Sequence, residues 1–267
     1  MAKETNQNSD LVVTRRENDL LWVTLNQPQK ANALSPALIA ELTDVYSKNW
    51  RSEGVRAVLL RSHGKHFSAG ADLGHLASLK DAGEEDNTQD SRKLRRLFEA
   101  VLRQEALTVT MVQGSCVAGG CGLATAHDFV IATDSSRFLY SEVRIGFVAA
   151  LVATYLPMRV SGRDLRELLL NPQFVDANRA LQIGLVNRVV PEEELEGATR
   201  ALCDEILSTA SSESIARTKR LLLQVYGQSL DDAMIAAELA NAKARMTDDC
   251  KHGIATFLQT KKPPNWR

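Results

Sequence analysis

The sequence predicts an α/β fold followed by a helical C-terminal region. Apolar segments typical of strands alternate with segments of helical periodicity from residue 11 onward, and successive strand–turn–helix units suggest a coil of similar segments. Residues 195–258 have a helical pattern almost throughout. We therefore expect a disordered tail over residues 1–10, an α/β core over residues 11–194 and a helical unit over residues 195–267.

The first elements of the core follow from local signals. Residues 11–25 alternate loosely, and the polar break at residues 17–19 predicts a hairpin of two short strands. Ser35 before Pro36 is typical of a helix N-cap followed by proline at the first helical position, and apolar spacing continues the helix to about Ser52. The apolar run at residues 55–60 predicts a buried strand.

The middle of the chain alternates loops with short regular elements. Residues 63–74 predict a loop with small residues, and the polar stretch 80–91 predicts a mobile surface loop. Helices are predicted over 94–102 and 123–127, strands over 109–112 and 129–132, and a further loop over 138–146.

Composition excludes several classes of function. The 267 residues include 32 Lys and Arg against 33 Asp and Glu, and this balance, with only 5% aromatic residues, argues against nucleic-acid binding. The four cysteines form no C-x-x-C pair and predict no disulfide framework. Apolar stretches fall short of the roughly 20 residues that a membrane helix needs. Because the first ten residues are polar and resemble no secretory signal, we expect a cytoplasmic protein.

Two loops contain the small residues that an anion site needs. Residues 114–122 hold four glycines between a strand and a helix, in a spacing that matches neither a phosphate P-loop nor a dinucleotide fingerprint. Their backbone N–H groups could approach an oxyanion, or the glycines could simply allow close packing of helix on sheet. The loop at 67–72 offers further N–H groups, and two are the minimum for an oxyanion hole. The Asp72 side chain is interpreted as a local cap.

One carboxylate stands among apolar neighbours. Glu142 lies in the strand-like stretch LYSEVRIG, where it is either a desolvated base or an ordinary surface carboxylate. His63, His66 and His75 cluster near Asp72, but their spacing matches no zinc pattern, so no metal site is predicted. The chain has no G-x-S-x-G elbow and therefore gives no support to a serine hydrolase.

Five ordered segments of the chain resemble those of the crotonase superfamily, the enoyl-CoA hydratase/isomerase family. They are QPQKANAL at 27–34, HFSAGAD at 66–72, the glycine-rich segment 114–128, residues 138–146 and residues 176–190. The resemblance covers nearly the whole chain, from about residue 11 to residue 257. Five motifs in order are more specific than any one of them alone.

This resemblance implies a crotonase-like α/β spiral of β-β-α units with a helical C-terminal trimerisation region. A homotrimer or a dimer of trimers is therefore expected. It also implies acyl-CoA thioester substrates, as in fatty acid metabolism, with CoA as part of the substrate and no metal or redox cofactor. Neither a nucleic acid nor a membrane is expected as a partner.

The resemblance also assigns roles to individual residues. Ala69 and Gly119 match the two oxyanion-hole positions, whose N–H groups would hold the thioester oxygen as it becomes an enolate. Glu142 matches an acid/base position. Residues at positions that hold CoA, largely through the backbone, are Lys30, Ala31, Phe67, Ala71, Asp72 and Gly120, together with Phe257 and Lys261, which often reach CoA across a subunit boundary.

The chain departs from the family pattern at a position that bears on the reaction. Hydratases of this family typically use two glutamates, and the first is Gly122 here, whereas Glu142 retains the second. Water activation and proton delivery are usually shared between two carboxylates, although one can act first as base and then as acid. A single carboxylate also suffices for a Δ3,Δ2-enoyl-CoA isomerase. Hydration, isomerisation and catalytically weak acyl-CoA binding all stay open, and a second departure at residues 147–150 leaves the acyl chain length open.

Overall fold

A computed structural model describes residues 11–267; the tail predicted over residues 1–10 lies outside the described residues. The strands are β1 (Val12–Glu17), β2 (Leu20–Leu25), β3 (Ala57–Ser62), β4 (Leu107–Val112), β5 (Ser115–Val117), β6 (Phe129–Thr133), β7 (Arg137–Leu139), β8 (Val175–Asp176) and β9 (Arg188–Val190). The helices are α1 (Pro36–Tyr46), α2 (Leu73–Ser78), α3 (Glu84–Arg103), α4 (Gly119–Thr125), α5 (Gly162–Leu170), α6 (Ala177–Gln182), α7 (Leu195–Thr209), α8 (Ser212–Val225), α9 (Leu230–Arg245) and α10 (Asp248–Thr260).

A six-stranded sheet forms the centre of the fold, in the order β1-β2-β3-β4-β6-β9. The β1–β2 hairpin is antiparallel, and all other neighbours in this sheet are parallel. A second sheet of β5, β7 and β8 lies beside it. Parallel strands need both faces covered, and β2 shows this directly because all six of its residues are buried. The predicted α/β fold is confirmed.

Two apolar clusters cover the two faces of the main sheet. Leu21 and Val23 of β2 point into the larger cluster, which also contains side chains of α1 and α3. Leu20 and Trp22 point into the smaller cluster, which α7 closes with side chains such as Leu202. Helix α7 therefore packs on the same sheet as the preceding elements, and the division at residue 194 stays a prediction.

Local sequence signals correctly predict the β1–β2 hairpin and the beginning of α1. Asn18 adopts a positive φ of 54° in the turn of the hairpin, a conformation that Asn tolerates better than most residues. The Ser35 hydroxyl accepts a hydrogen bond from the Leu38 N–H and caps α1, with Pro36 at the first helical position. Helix α1 ends at Tyr46, earlier than predicted, and the 3-10 turn Trp50–Glu53 follows.

Two of the predicted loops are partly regular structure. The loop prediction over 80–91 is wrong from Glu84 onward, because α3 begins there with three acidic residues in its first turn, where the helix dipole favours negative charge. Within the predicted loop 138–146, β7 continues to Leu139 and a 3-10 turn spans Glu142–Ile145. Glu142 is therefore not on a strand. The helix predicted over 123–127 begins earlier, at Gly119.

The C-terminal region is helical, as predicted, and leaves many apolar side chains uncovered. Hydroxyl caps at Ser211, Ser229 and Thr247 begin α8, α9 and α10. Neither α9 nor α10 has a buried residue within the single chain. Exposed apolar side chains on or next to these two helices are Leu230, Met234, Ile235, Leu239, Met246, Ile254, Phe257 and Leu258. Across residues 11–267, no helix is both long enough and apolar enough to cross a bilayer.

Candidate active site

Three loops run side by side where β3 and β4 end: the first loop (27–34), the second loop (66–72) and the third loop (113–119), which includes β5. The segment after residue 30 meets the loop 66–72 at a parallel bridge between Leu34 and Ala71, and that loop meets β5 at a bridge between Ser68 and Cys116. The Leu34 N–H donates to the Gly70 carbonyl at 2.7 Å, and the Val117 N–H donates to the Ser68 carbonyl at 3.0 Å. Ligands of parallel sheets bind outside the carboxyl ends of the strands, which is where this cluster lies.

The first two loops are joined by the buried side chain of Asn32. Its Nδ2 donates to the carbonyls of His63 and His66 at 3.0 and 3.2 Å, and its Oδ1 accepts from the Gln27 N–H at 2.9 Å. Asn32 also has a positive φ of 51°. The sequence analysis missed this residue, and its position within the QPQKANAL motif was the one available signal.

We expect Asn32→Ala to destabilise the protein by about 2–4 kcal/mol, because it removes three hydrogen bonds to partly buried backbone groups and places alanine in a left-handed conformation. Urea unfolding measures this cost. Asn171→Ala is a matched control, since Asn171 is exposed at the end of α5 and its side chain makes no hydrogen bond within residues 11–267. Equal stability of the two variants would contradict the bridging role.

The second and third loops touch through their backbones. Gly70 has a φ of +85°, and a Cβ built there would lie 2.7 Å from the Val117 carbonyl oxygen. A Cβ on Gly120 would lie 2.7 Å from the Ser68 Cβ. Both positions therefore require glycine, because the approach leaves no space for a side chain.

The hydrogen-bond pattern of these loops corrects one sequence assignment. The Ala69 N–H donates to the Ala31 carbonyl at 2.8 Å, so it is already occupied and cannot serve as the first oxyanion donor. The N–H groups of Ala71 and Gly119 have no acceptor among the described residues. Ala71 follows the bridged residue Ser68 by three positions, and Gly119 follows Cys116 by three, so the parallel register carries both to the same end of the loops.

The backbone before α4 is strained in a way that orients Gly119. Ala118 has φ 46° and ψ −122°, a conformation that alanine rarely adopts. It is held by two hydrogen bonds: the Ala118 N–H donates to the Leu139 carbonyl at 2.7 Å, and the Gly122 N–H donates to the Ala118 carbonyl at 3.2 Å. Strain that is retained by the surrounding structure is typical of functional sites.

Glu142 lies just beyond β7, the strand whose Leu139 carbonyl accepts the hydrogen bond from the Ala118 N–H. Its carboxylate is partly buried, and Oε2 is fully buried with no hydrogen-bond partner among the described residues. Burial raises the pKa of Glu142 above its ordinary value. Burial also raises the pKa of Tyr155 above its ordinary range, and the charge of Glu142 adds to that increase. An unpaired carboxylate with a raised pKa is suited to accept and return a proton.

The space around Gly122 is filled by other side chains. A Cβ at this position would lie 2.8 Å from Val152 Cγ2, 2.9 Å from Phe98 Cζ and 3.1 Å from the Tyr155 hydroxyl. The Tyr155 hydroxyl donates to the Gly122 carbonyl at 2.9 Å, and the Tyr155 and Phe98 rings meet edge to face. Sequence reasoning identified the missing glutamate but had no signal for these three residues, which lie far from Gly122 in sequence.

Several predicted CoA-binding residues lie on or beside the loop cluster. Lys30 is exposed and Ala31 has a positive φ of 47°. Asp72 accepts from the His75 N–H at 3.0 Å and caps α2, which confirms the local interpretation of its side chain. Phe67 has a side chain that is fully buried in the core, and its N–H is bonded to the Gln113 and Ser115 carbonyls, so neither group is available to a ligand. A contact with CoA through the Phe67 carbonyl stays a prediction.

Phe257 and Lys261 are not joined to the loop cluster. They lie at the end of α10, which packs mainly against α8 and α9, and no hydrogen bond or ion pair within residues 11–267 links them to the three loops. Phe257 is exposed. Their predicted contact with CoA stays a prediction.

A cavity of about 590 Å³ lies at the opposite end of α4. Its polar lining is occupied by internal contacts: Lys219 Nζ lies 2.6 Å from Asp128 Oδ2, and Arg159 donates to the Thr125 and Asp128 carbonyls. Neither Glu142 nor the two unused N–H groups line it. Among the described residues, no group of three or more His, Cys, Asp or Glu has the arrangement of a metal site.

The chain is similar to known proteins over most of its length. A family model described as enoyl-CoA hydratase/isomerase matches residues 15–267. A putative enoyl-CoA hydratase of Thermus thermophilus is 42% identical over 244 residues, which covers 91% of this chain and 96% of that protein. A short-chain-enoyl-CoA hydratase of Clostridium acetobutylicum is 29% identical and covers 94% and 95%. The crystal structure of an enoyl-CoA hydratase from Mycobacterium smegmatis matches with a TM-score of 0.88 at 29% identity, over 97% and 99% of the two chains.

Proposed function

Because the chain belongs to the enoyl-CoA hydratase/isomerase family, we propose that it converts acyl-CoA thioesters through an enolate, as a hydratase with Glu142 as acid and base. The observation that carries this proposal is the combination of two unused backbone N–H groups, at Ala71 and Gly119, with one partly buried carboxylate. Ala71 takes the donor role that sequence analysis gave to Ala69.

The two N–H groups act on the main barrier of the reaction. Negative charge builds up on the thioester oxygen as the enolate forms, and without hydrogen-bond donors this charge makes the step slow. Two fixed donors stabilise that oxygen more in the enolate than in the ester, which is the condition for acceleration. The hydrogen bonds that hold Ala118 and the neighbouring loops keep these donors in place before substrate binds.

Glu142 would carry the proton in both directions. In hydration, the Glu142 carboxylate takes a proton from water as the water oxygen adds to the β-carbon. The resulting carboxylic acid then returns a proton to the α-carbon as the enolate collapses. The raised pKa supports this double role, because an acid/base group works best with a pKa near the working pH. We propose that this chemistry needs no metal or redox cofactor, because the addition of water involves no net oxidation or reduction and the two N–H groups stabilise the oxygen charge. CoA enters as part of the substrate.

CoA would lie along the loop cluster. Lys30, Ala31, Asp72 and Gly120 belong to or border these loops, and we propose that they hold it. Phe257 and Lys261 would reach CoA from a neighbouring copy, which is consistent with their place on an exposed apolar helix end. The acyl chain length and the cytoplasmic location stay predictions.

A second candidate, the Δ3,Δ2-enoyl-CoA isomerase, is favoured by the surroundings of Gly122. Phe98, Val152 and Tyr155 occupy the space that a second acid would need. An isomerase moves one proton from the α-carbon to the γ-carbon or back and requires only one carboxylate. The two candidates share the enolate and Glu142 and differ in whether water is added.

Incubation of 2-enoyl- and 3-enoyl-CoAs in water enriched in heavy oxygen distinguishes the two reactions. Incorporation of the heavy isotope into the product indicates hydration, and migration of the double bond without incorporation indicates isomerisation. Binding of CoA esters in calorimetry without turnover of any enoyl-CoA would instead indicate a catalytically weak acyl-CoA-binding protein.

We expect a homotrimer or a dimer of trimers, as the family resemblance implies. The apolar side chains that α9 and α10 expose, and that a single chain does not cover, support an association of chains. Light scattering at micromolar concentration should give the mass of three or six chains. Leu239→Glu places a charge on this surface and should shift the mass toward the single chain. A monomer of the unaltered protein at that concentration would contradict the expectation.

A further inference from the structure

We propose that Tyr155 is a positioning residue of the oxyanion site, in which its hydroxyl holds the Gly122 carbonyl and thereby orients the Gly119 N–H. The inference rests on the proposed function, because it assigns to Gly119 a role in binding the thioester oxygen. It concerns a residue that touches neither the substrate nor the proton in that proposal.

The connection from Tyr155 to Gly119 consists of three short links. The Tyr155 hydroxyl donates to the Gly122 carbonyl at 2.9 Å. The N–H of the same residue, Gly122, donates to the Ala118 carbonyl at 3.2 Å. That carbonyl and the Gly119 N–H belong to one planar peptide unit, so any rotation of the carbonyl turns the N–H by the same angle.

The first turn of α4 needs such external support. Three of its first four residues are Gly119, Gly120 and Gly122, and each glycine is less favourable in a helix than alanine by about 1 kcal/mol. The preceding residue, Ala118, is strained. A turn with low intrinsic stability after a strained residue keeps its geometry only through tertiary contacts, and the bond from Tyr155 is one of these.

The surroundings of Tyr155 favour a donor that does not ionise. Its side chain is almost fully buried, and the Phe98 ring packs edge to face against it with centroids 5.9 Å apart. Burial raises the pKa of Tyr155 above its ordinary range. The hydroxyl therefore keeps its proton and donates to the Gly122 carbonyl throughout the working range of pH.

A purely space-filling role for Tyr155 is the alternative, because the same ring closes the space beside Gly122. Tyr155→Phe separates the two, since it keeps the ring and removes only the hydroxyl. Tyr46→Phe is the matched control. The Tyr46 hydroxyl is also buried and bonds to His127 Nε2 at 2.7 Å, and within residues 11–267 no hydrogen bond joins it to Gly119–Gly122.

Three readouts test the inference on the full-length protein. Steady-state kinetics separates kcat from KM, the near-ultraviolet absorption of bound acetoacetyl-CoA reports enolate in the oxyanion site, and hydrogen exchange measures opening of residues 118–123. We expect Tyr155→Phe to lower kcat roughly 10- to 100-fold with KM within about threefold, to weaken the enolate absorption and to speed exchange in this segment. Tyr46→Phe should keep kcat within about twofold, with an unchanged enolate absorption.

Two results would overturn the inference, and they differ from failure of the proposed function. If Tyr155→Phe matches Tyr46→Phe in kcat, enolate absorption and exchange of residues 118–123, Tyr155 only fills space. If the unaltered protein neither forms the enolate of acetoacetyl-CoA nor turns over an enoyl-CoA, the proposed function is wrong and the inference falls with it.

Discussion

Glu142→Gln should lower kcat by two orders of magnitude or more, with a much smaller change in KM. The substitution keeps the size of the side chain and removes the carboxylate that we propose takes and returns the proton. A positioned acid/base group contributes about 10²–10⁴-fold to a rate. Steady-state kinetics on 2-enoyl- and 3-enoyl-CoAs measures the effect. Unchanged turnover would remove Glu142 from the mechanism.

The pH dependence of the unaltered enzyme gives a second view of the same residue. Glu142 must be ionised to act as base, and burial raises its pKa. The acid limb of kcat/KM should therefore lie at a higher pH than for an ordinary glutamate, and activity should fall as pH drops through that raised pKa. The limb should disappear from the residual activity of Glu142→Gln.

The same variant should be slightly more stable than the unaltered protein near neutral pH. Because folding raises the pKa of this carboxyl group, ionisation costs more in the folded state than in the unfolded state. The free energy of unfolding therefore falls as pH rises from the unfolded-state pKa through the folded-state pKa. Removing the charge should recover a small amount, on the order of 0.5–1 kcal/mol. The proposed role of Glu142 is thus expected to cost the folded state some stability.

Glu105→Gln is the matched control and should behave in the opposite way. Burial acts to raise the pKa of Glu105, but its bonds to Arg51 and the charges of Arg51 and Arg220 outweigh burial and lower it. A carboxyl group whose pKa is lowered by folding stabilises the folded state at pH values above its unfolded-state pKa. That stabilisation is lost as pH falls through the folded-state pKa. Glu105→Gln should therefore be less stable at neutral pH while it keeps its kcat.

Gly122→Glu should destabilise the protein by about 3 kcal/mol or more and should not increase hydration. The Cβ alone would overlap Val152, Phe98 and the Tyr155 hydroxyl, and the charged end would be forced into a buried region. Urea unfolding measures the stability, and heavy-oxygen incorporation measures hydration. A stable variant with faster hydration would show that the missing acid is tolerated here and that the surrounding side chains move aside.

Smaller changes locate the cause of this effect. Gly122→Ala adds only the overlapping Cβ and should cost about 1–3 kcal/mol. Gly197→Ala, in the first turn of α7, adds the same atom where nothing lies within 4 Å, and should raise stability by about 0.5–1 kcal/mol through helix propensity. Equal effects at the two positions would indicate that packing around Gly122 is loose.

The features that the sequence predicts well are those whose causes are local. The hairpin turn at Asn18 and the cap at Ser35 depend on neighbours within a few residues, and both are confirmed. The start of α3 at Glu84 was missed because acidic and polar residues are common both in exposed loops and in the first turn of a helix.

The features that the sequence predicts poorly depend on partners distant in the chain. Motif resemblance brought attention to the loop with Ala69 and Ala71, but which N–H is unused depends on the Ala31 carbonyl, which another loop supplies. The absence of a carboxylate at Gly122 is visible in the sequence. What fills its place is visible only once Phe98, Val152 and Tyr155 are brought together by the fold.

The proposed site combines two backbone N–H groups with one side chain, and mutation affects these two kinds of group differently. The N–H groups of Ala71 and Gly119 are present whatever side chain is encoded there, and only proline would delete one. A single codon change can replace Glu142, the proposed proton carrier, whereas most substitutions at positions 71 and 119 leave the proposed oxyanion donors in the backbone. If the proposed roles hold, descendants of such a gene can acquire a different reaction while they keep the same enolate intermediate, because the backbone donors depend little on which side chains are encoded at their positions.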